Sequence, residues 1–508
     1  MARAFAMTRR KPRPGQDRVA GSTAAVLEPA ACARIGGVVR FSPAVSWLAR
    51  NGWLGAFCMA TLVACDSVVP PDLDFAASRC QTVYDDGVAG MPTFELGAIL
   101  EITTPEGKIE ENGTYVTRAM RLAIQDLNDH RDIAGKRFRL RLCDTRADWS
   151  TGGGQVTRDL ATWLVEKGKV QAILTDASSD TQTVQAVTVP KGVLVMAISA
   201  TSQELTNVQD QGLVWRVAPS DIYQGAVLAQ MVSSTVAESA KVVVLATRSP
   251  YGDGLVDSMG DILGERLIEH TFDSDGKGLA AAVQATALDG TPAAPLGAIV
   301  IVAGSAHGAK ITNARAKFPS LANVPLIFSD GACDGTLANQ VLDPGVSLAG
   351  ARCAVPGQPA TDVYKQFKGH YQQKFAVTDL DQRGYVAHAF DAVYCVALAH
   401  AWAVGADGKG KVDGAALAEG LRHLSKDEAQ PLESGNILKI VSSLRKGKDV
   451  DIEGASGLLD FNPETGEAPS AYATWTLGPK GELKTQAFVS VSDLGGGKYL
   501  VAPIVLKP

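Results

Sequence analysis

What this 508-residue sequence lacks narrows its function first. There is no G-x-x-x-x-G-K-[ST] loop to cradle nucleotide phosphates, no G-x-G-x-x-G after a predicted strand, no H-E-x-x-H and no C-x-x-C. The seven histidines, His130, His270, His307, His370, His388, His400 and His423, are scattered without metal-ligand spacing, so no metal and no cofactor is expected. Gly304-Ser305-Ala306-His307-Gly308 comes nearest to a nucleophile elbow, but its serine directly follows the first glycine and misses G-x-S-x-G. It reads as a Gly-rich strand-to-helix turn, and no enzymatic activity is expected. With 48 Lys and Arg against 54 Asp and Glu, the chain has no general excess of positive charge, which argues against nucleic acid as a partner. Repeats of 20 to 50 residues and heptads are also missing.

What is present is a foldable composition, 46% hydrophobic and 20% charged, enough for two or three domain-sized cores. Charge is uneven along it. Residues 1–64 carry +7, which leaves −13 for residues 65–508. Residues 53–64 form an apolar run of signal-peptide length, well short of the roughly 20 residues that cross a bilayer. The run ends in Leu62-Val63-Ala64-Cys65, which looks like a bacterial lipobox, so Cys65 is the expected lipidation site and first mature residue. The plain alternative is a buried helix with Cys65 as an ordinary apolar residue. Arg9-Arg10 lies some forty residues ahead of the apolar run, too far for a usual twin-arginine signal. Residues 1 to about 40 read as a long n-region or as sequence upstream of the true start.

Beyond Cys65 five cysteines remain, so at most two disulfides can form. Cys333 and Cys353 flank one short segment, and Cys80 precedes the first strand while Cys143 ends the second, which favours those two pairings. Cys395 falls inside an apolar helical pattern and reads as a free core thiol.

From residue 94 short β-rich runs alternate with helical patterns, at 94–100, 115–128, 138–143, 155–167, 170–174, 181–187 and 193–198. In the first helix Val116, Ala119, Met120, Ala123, Ile124 and Leu127 recur at helical spacing and predict one buried face. The rhythm restarts after residue 219, with runs at 241–246, 254–263, 266–272, 297–303, 309–318 and 324–328. Helices are predicted at 362–375, 384–404 and 414–424, followed by a β-rich tail at 457–505 with a hairpin-like turn at 478–481. Two α/β halves result, and open parallel sheets bind ligands beyond the carboxyl ends of their strands.

The loops at those ends are rich in small hydroxyl residues. After the run at 170–174 comes Thr175-Asp176-Ala177-Ser178-Ser179-Asp180-Thr181, opening a helix. After the run at 193–198 comes Ser199-Ala200-Thr201-Ser202-Gln203-Glu204-Leu205-Thr206. Helix N-termini supply unpaired N–H groups and hydroxyls add donors, so a carboxylate is accommodated there; simple helix capping is the competing explanation. From the second half Tyr251, Ser305 and Asp330 also follow strands and are candidate contacts, although Asp330-Gly331 could be a plain turn.

Residues 94 to about 480 resemble the type I periplasmic binding fold, specifically the branched-chain amino-acid (Leu/Ile/Val-binding) substrate-binding proteins of ABC transporters. The matching pieces are Asn112-Gly113 before the helix ending Leu127-Asn128, Ile133-Ala134-Gly135-Lys136-Arg137, Asp144-Thr145, Ser178-Ser179, Ile198-Ser199-Ala200-Thr201, Glu204-Leu205-Thr206, Arg216-Val217-Ala218-Pro219 and Tyr251-Gly252. The resemblance implies an α/β fold of two Rossmann-like parallel-sheet domains with a hinged interdomain cleft. It implies Ser178, Ser179, Thr181, Ser199, Ala200 and Thr201 as the first-domain side of the site. In particular Ser179 and Thr201, with neighbouring backbone groups, would hold the ligand's carboxylate and ammonium, while Tyr251 and Asp330 would close from the second domain; Ser305 stays a candidate from its place after a strand. The first binding loop, Glu101-Ile102-Thr103-Thr104-Pro105-Glu106-Gly107, departs from the family's Gly-Pro opening, and Asp180 stands where a hydroxyl residue is frequent. These departures leave the ligand open.

The expected organisation is a leader at 1–64, a tether at 65–92, one domain from 93–217 plus 357–452 and the other from 218–356 plus 453–508. The expected protein is a monomeric periplasmic lipoprotein of the bacterial cell envelope, anchored to the membrane by lipid. It would capture an amino acid or similar small polar metabolite for ABC permease subunits. A sensor or envelope-regulatory lipoprotein that binds a protein partner is the alternative.

Overall fold

The computed structural model describes residues 71–504 except 86–89, 105, 131–132, 134, 147–153, 290–294, 334–335, 338–339, 341, 358–359, 427–428 and 433–434. The leader and Cys65 lie outside the described residues.

The first lobe is built on a six-stranded sheet, β1 (Thr82–Tyr84), β2 (Thr93–Leu100), β3 (Arg137–Asp144), β4 (Ala172–Thr175), β5 (Leu194–Ala197) and β6 (Val214–Arg216), in the order β1-β3-β2-β4-β5-β6. All pairs are parallel except the edge pair β1–β3. Its first-half helices are α1 (Leu73–Arg79), α2 (Glu111–Asp129), α3 (Gln155–Trp163) and α4 (Ser178–Thr188). On α2 the apolar positions at helical spacing are all buried, as their periodicity predicts.

The chain then enters the second lobe through α5 (Asp221–Thr235). Here β7 (Lys241–Thr247), α6 (Pro250–Leu263), β8 (Leu267–Phe272), α7 (Leu279–Thr286), β9 (Leu296–Val302), α8 (Ser305–Arg315), β10 (Leu326–Phe328) and β11 (Arg352–Pro356) form a parallel βα array. Consecutive residues of β7 feed different cores, Val243 and Leu245 on one face, Val242, Val244 and Ala246 on the other. Both faces are covered by helices or strands, which is why the strand reads as an unbroken apolar run rather than an alternating one.

The chain returns to the first lobe for α9 (Asp362–Phe375), α10 (Val386–Val404), α11 (Gly414–Leu421), the ribbon of β12 (Ala429–Pro431) with β13 (Asp451–Glu453), and α12 (Ile437–Arg445). Helix α10 is long and apolar enough to cross a membrane by length and composition, but it is the lobe's central helix, packed against α2, α11 and α12. Finally β14 (Tyr472–Leu477), β15 (Leu483–Asp493) and β16 (Tyr499–Pro503) extend the second sheet antiparallel beyond β11, with the predicted turn joining β14 to β15.

Two boundaries differ from the sequence reading. Residues 73–84 are folded into the first lobe rather than serving as tether: Asp72 caps α1 by accepting from Phe75 N at 2.9 Å, β1 pairs with β3, and Cys80 is bonded to Cys143. The last crossing also comes later than 453. Ile452, Ala455, Leu459, Phe461 and Ala468 pack in the first-lobe core, and the second-lobe core resumes only at Tyr472 and Ala473. The apolar residues of 452–468 are spaced irregularly, so only tertiary packing assigns them a lobe. Cys333 and Cys353 form the second disulfide, and Cys395 is a buried free thiol.

Candidate functional site

Between the carboxyl ends of the strands of the two lobes lies a cavity of about 680 Å³. From the first lobe it is walled by Glu101 after β2, Asp176 to Asp180 with Gln182 and Thr183 after β4, and Ser199 after β5. From the second come Thr247 to Tyr251 after β7, Ala303, Gly304 and His307 after β9, and Asp330 with Gly331 after β10. Its size is that of a small-molecule site.

The first-lobe wall is organised by the start of α4. Ala177 is its N-cap and makes no side-chain cap bond, so the first amides of the helix lack a side-chain acceptor there, and Ser178 and Ser179 line the cavity. Ser178 Oγ accepts from Ser202 N at 3.1 Å, which locks the two hydroxyl loops together. Asp180 accepts from Thr157 at 2.8 Å, so part of its carboxylate is engaged by α3. Asp176 precedes the helix and accepts from Ser199 Oγ. Burial raises the pKa of Asp176, and the Ser199 hydrogen bond opposes the rise.

The second-lobe wall centres on Asp330, 7% exposed. Tyr251 donates to its Oδ1 at 2.6 Å, and Tyr385, from the first lobe, donates to its Oδ2. Burial, then the charge of Asp330, push both tyrosine pKa values well above normal, so both are hydrogen-bond donors at any physiological pH. Gly331 keeps this approach close, since a Cβ would sit 3.0 Å from Ala303 O and 3.2 Å from Tyr251 Oη, and the neighbours would have to shift by a few tenths of an ångström. Gly252 is likewise needed in the first turn of α6, where a Cβ would collide with Thr247 O at 1.8 Å. His307 has its pKa lowered, chiefly by burial, and is neutral. Arg248 pairs with Asp273 and reaches Thr271 Oγ1 at 3.1 Å.

The lobes touch directly around the cavity. Besides Tyr385 on Asp330, Ser202 Oγ donates to Pro250 O at 2.9 Å and Ser258 Oγ to Gln203 Oε1 at 3.3 Å. Of the residues singled out by sequence, Ser178, Ser179, Ser199, Tyr251 and Asp330 meet at the cavity. Four do not. Thr181 is fully buried with its hydroxyl 2.8 Å from that of Thr175, Ser305 pairs with Thr336 at 2.7 Å, and Ala200 is buried in a small cluster with Ala197 and Leu205. Thr201 is 2% exposed and its carbonyl accepts from Asp221 N at 2.7 Å, facing the first crossover. One face of each loop looks into the cleft and the other into its own lobe, and residue type does not tell the faces apart. Sequence reasoning also missed Tyr385. It precedes α10 in the left-handed conformation, φ 63°, and its only local signal is Gly384-Tyr385 at the head of a long apolar helix.

A lobe pair with its cavity at facing strand ends defines a two-lobed solute-binding protein. Residues 93–437 match the family model described as periplasmic binding protein, and the chain belongs to that family of extracytoplasmic solute-binding proteins. No curated protein matches the chain by sequence. Among solved structures it is similar to the leucine-binding protein LivK of Thermotoga maritima, with 20% identity, TM-score 0.61, and coverage of 78% of this chain and 99% of that one. It is also similar to the branched-chain amino acid transporter substrate-binding protein LivJ of Streptococcus pneumoniae in complex with isoleucine, with 20% identity, TM-score 0.58, and coverage of 81% and 100%. A third is the solute-binding protein of an ABC transporter of Rhodopseudomonas palustris in complex with 3,4-dihydroxybenzoic acid, with 16% identity, TM-score 0.57, and coverage of 81% and 96%. At these identities the likeness is one of fold.

Proposed function

We propose that the chain is the lipid-anchored receptor of an ABC transporter, capturing an amino acid or similar small polar metabolite in the interlobe cleft and presenting it to the permease subunits. The observation that carries this reading is the pairing of opposite chemistries across one cavity: the α4 N-terminus with Ser178 and Ser179 on one wall, Asp330 on the other. A zwitterion matches that pair, its carboxylate at the amides and its ammonium at Asp330. The ligands of the solved relatives, isoleucine and 3,4-dihydroxybenzoic acid, are small carboxylic acids. The three chain crossings between lobes supply a hinge, so binding closes the cleft as a rigid-body motion. The anchor is the thiol of Cys65, and Cys65→Ser is expected to release the protein from the membrane fraction or leave it unprocessed.

Mass spectrometry of small molecules released from the purified mature protein, followed by thermal-shift titration with the compound found, tests this reading. An amino acid or small carboxylic acid that raises the melting temperature is the expected result. Recovery of a stoichiometric protein partner, with no small molecule and no thermal shift across the amino acids, would overturn it in favour of a sensor or regulatory lipoprotein.

A further inference from the structure

The charges that border the cavity do not balance for a simple amino acid. Four carboxyl groups line it, Glu101, Asp176, Asp180 and Asp330, against the single guanidinium of Arg248, already paired with Asp273. The imbalance is sharpest at Asp176 and Asp330. Among the described residues neither makes an ion pair, and every donor that reaches them is a neutral hydroxyl, Ser199 for Asp176 and Tyr251 with Tyr385 for Asp330. They border the same cavity from opposite lobes.

Asp330 is buried and Asp176 half-buried, and carboxylates drawn back from water with only neutral donors lack the partner that offsets their loss of hydration. An α-amino acid with an uncharged side chain brings one ammonium, whose place at Asp330 is the reading proposed above, and one carboxylate, which uses the amides of α4. Asp176 is then left facing the ligand's side chain with nothing to neutralise it. An aliphatic side chain there would seal a carboxylate away from water without a counter-charge, the costliest arrangement a closing cleft can make. A cationic side chain turns the same feature into an attraction, and a cavity of about 680 Å³ has room for a long one.

We infer that the cleft is selective for basic amino acids, those bearing a side-chain ammonium or guanidinium, and that Asp176 is the residue which recognises that group. This inference rests on the amino-acid receptor reading and deepens it. Ser199 acts as a positioning residue, its hydroxyl fixing the carboxylate that receives the cation.

The experiment is calorimetric titration of the ligand-stripped mature protein with L-arginine, L-ornithine, L-citrulline and L-leucine, in wild type and in Asp176→Asn. Citrulline has nearly the shape of arginine and no side-chain charge, so the comparison isolates the charge. Arginine or ornithine is expected to bind roughly ten- to a hundredfold more tightly than citrulline, with leucine weaker still. Asp176→Asn is expected to abolish that preference while the ligand-free melting temperature stays within a few degrees, since the amide keeps an acceptor for Ser199. Citrulline or leucine binding as tightly as arginine, or an unchanged preference in Asp176→Asn, would overturn the inference and leave the amino-acid receptor reading standing. No binding of any of the four would overturn the inference, and the receptor reading would fall with it only if no co-purifying small molecule raised the melting temperature either.

Discussion

Charged side chains drawn back from solvent are handled in opposite ways in two regions of this protein, at the chain crossings and in the cleft. At the hinge Arg216, 2% exposed, closes β6 and pairs with Glu467, just ahead of the last chain crossing. Its guanidinium also donates to Ser202 O at 2.8 Å, Ala200 O at 3.2 Å and Thr206 Oγ1 at 3.1 Å, while Thr206 itself donates to Glu467 at 2.6 Å. In the cleft, among the described residues, the carboxylates of Asp176 and Asp330 have only hydroxyl partners. The hinge cluster holds its counter-ion within the chain and so belongs to the folded state. The cleft pair has no counter-ion among the described residues, in line with the receptor reading proposed above. A buried charge paired within the chain supports architecture, and a carboxylate without a counter-ion at a cavity is a candidate for recognition.

The largest effect should come from breaking the complete cluster. Arg216→Met leaves Glu467 buried without its partner and releases the loop carrying Ala200 and Ser202, so a loss of about 3–5 kcal/mol is expected in urea or thermal unfolding. A variant as stable as wild type would show that the pair is dispensable and dissolve the contrast. Asp330→Asn should do the reverse, weakening ligand binding roughly ten- to a hundredfold in calorimetry with little change in stability. Equal damage to folding would reclassify Asp330 as architectural.

Buried titratable groups away from both clusters sharpen the contrast, because they avoid charge instead of pairing it. His400, packed against Phe94 with ring centroids 4.6 Å apart, has its pKa pushed down to about 4, first by burial and then by Lys136. Below its ordinary pKa the unfolded chain takes up the proton before the folded one does. His400 therefore costs stability as pH falls from about 6.5 to about 4. Asp391, with its pKa raised to about 6 by burial, works in the opposite direction, favouring the folded state as pH falls from about 6 toward 4. His400→Leu should gain stability relative to wild type by roughly 1–3 kcal/mol on acidification through that window, read from melting curves at pH 7 and pH 4.5. A gap independent of pH would mean that the ring is protonated equally in both states.

The smallest effect separates two residues the sequence treats alike. Ser179→Ala should weaken the ligand several-fold, because this hydroxyl lines the cavity. Thr201→Ala should leave affinity unchanged, since Thr201 is not among the residues lining the cavity and its side chain lies beside the Asp221 carboxyl. Equal losses of affinity in both would place Thr201 back in the site.

That pair shows how far the sequence could be read. The alternation of strands and helices from residue 94, the buried face of α2, and the placing of hydroxyl-rich loops after β4 and β5 follow from periods of two and 3.6 residues and from local turn chemistry. Those signals are carried by neighbours along the chain, so the order of amino acids determined the two α/β lobes and the loops that border the cleft. Tertiary structure alone decided which side of each loop faces the ligand. It buried Thr181 and Thr201, paired Ser305 with Thr336, drew residues 73–84 into the first lobe and kept residues 455–468 there. It also brought Tyr385 across the cleft to Asp330, 55 residues away in sequence. A loop's local pattern specifies that it turns, whereas the direction in which a hydroxyl points depends on how separate segments pack against it, which the loop's own residues do not encode.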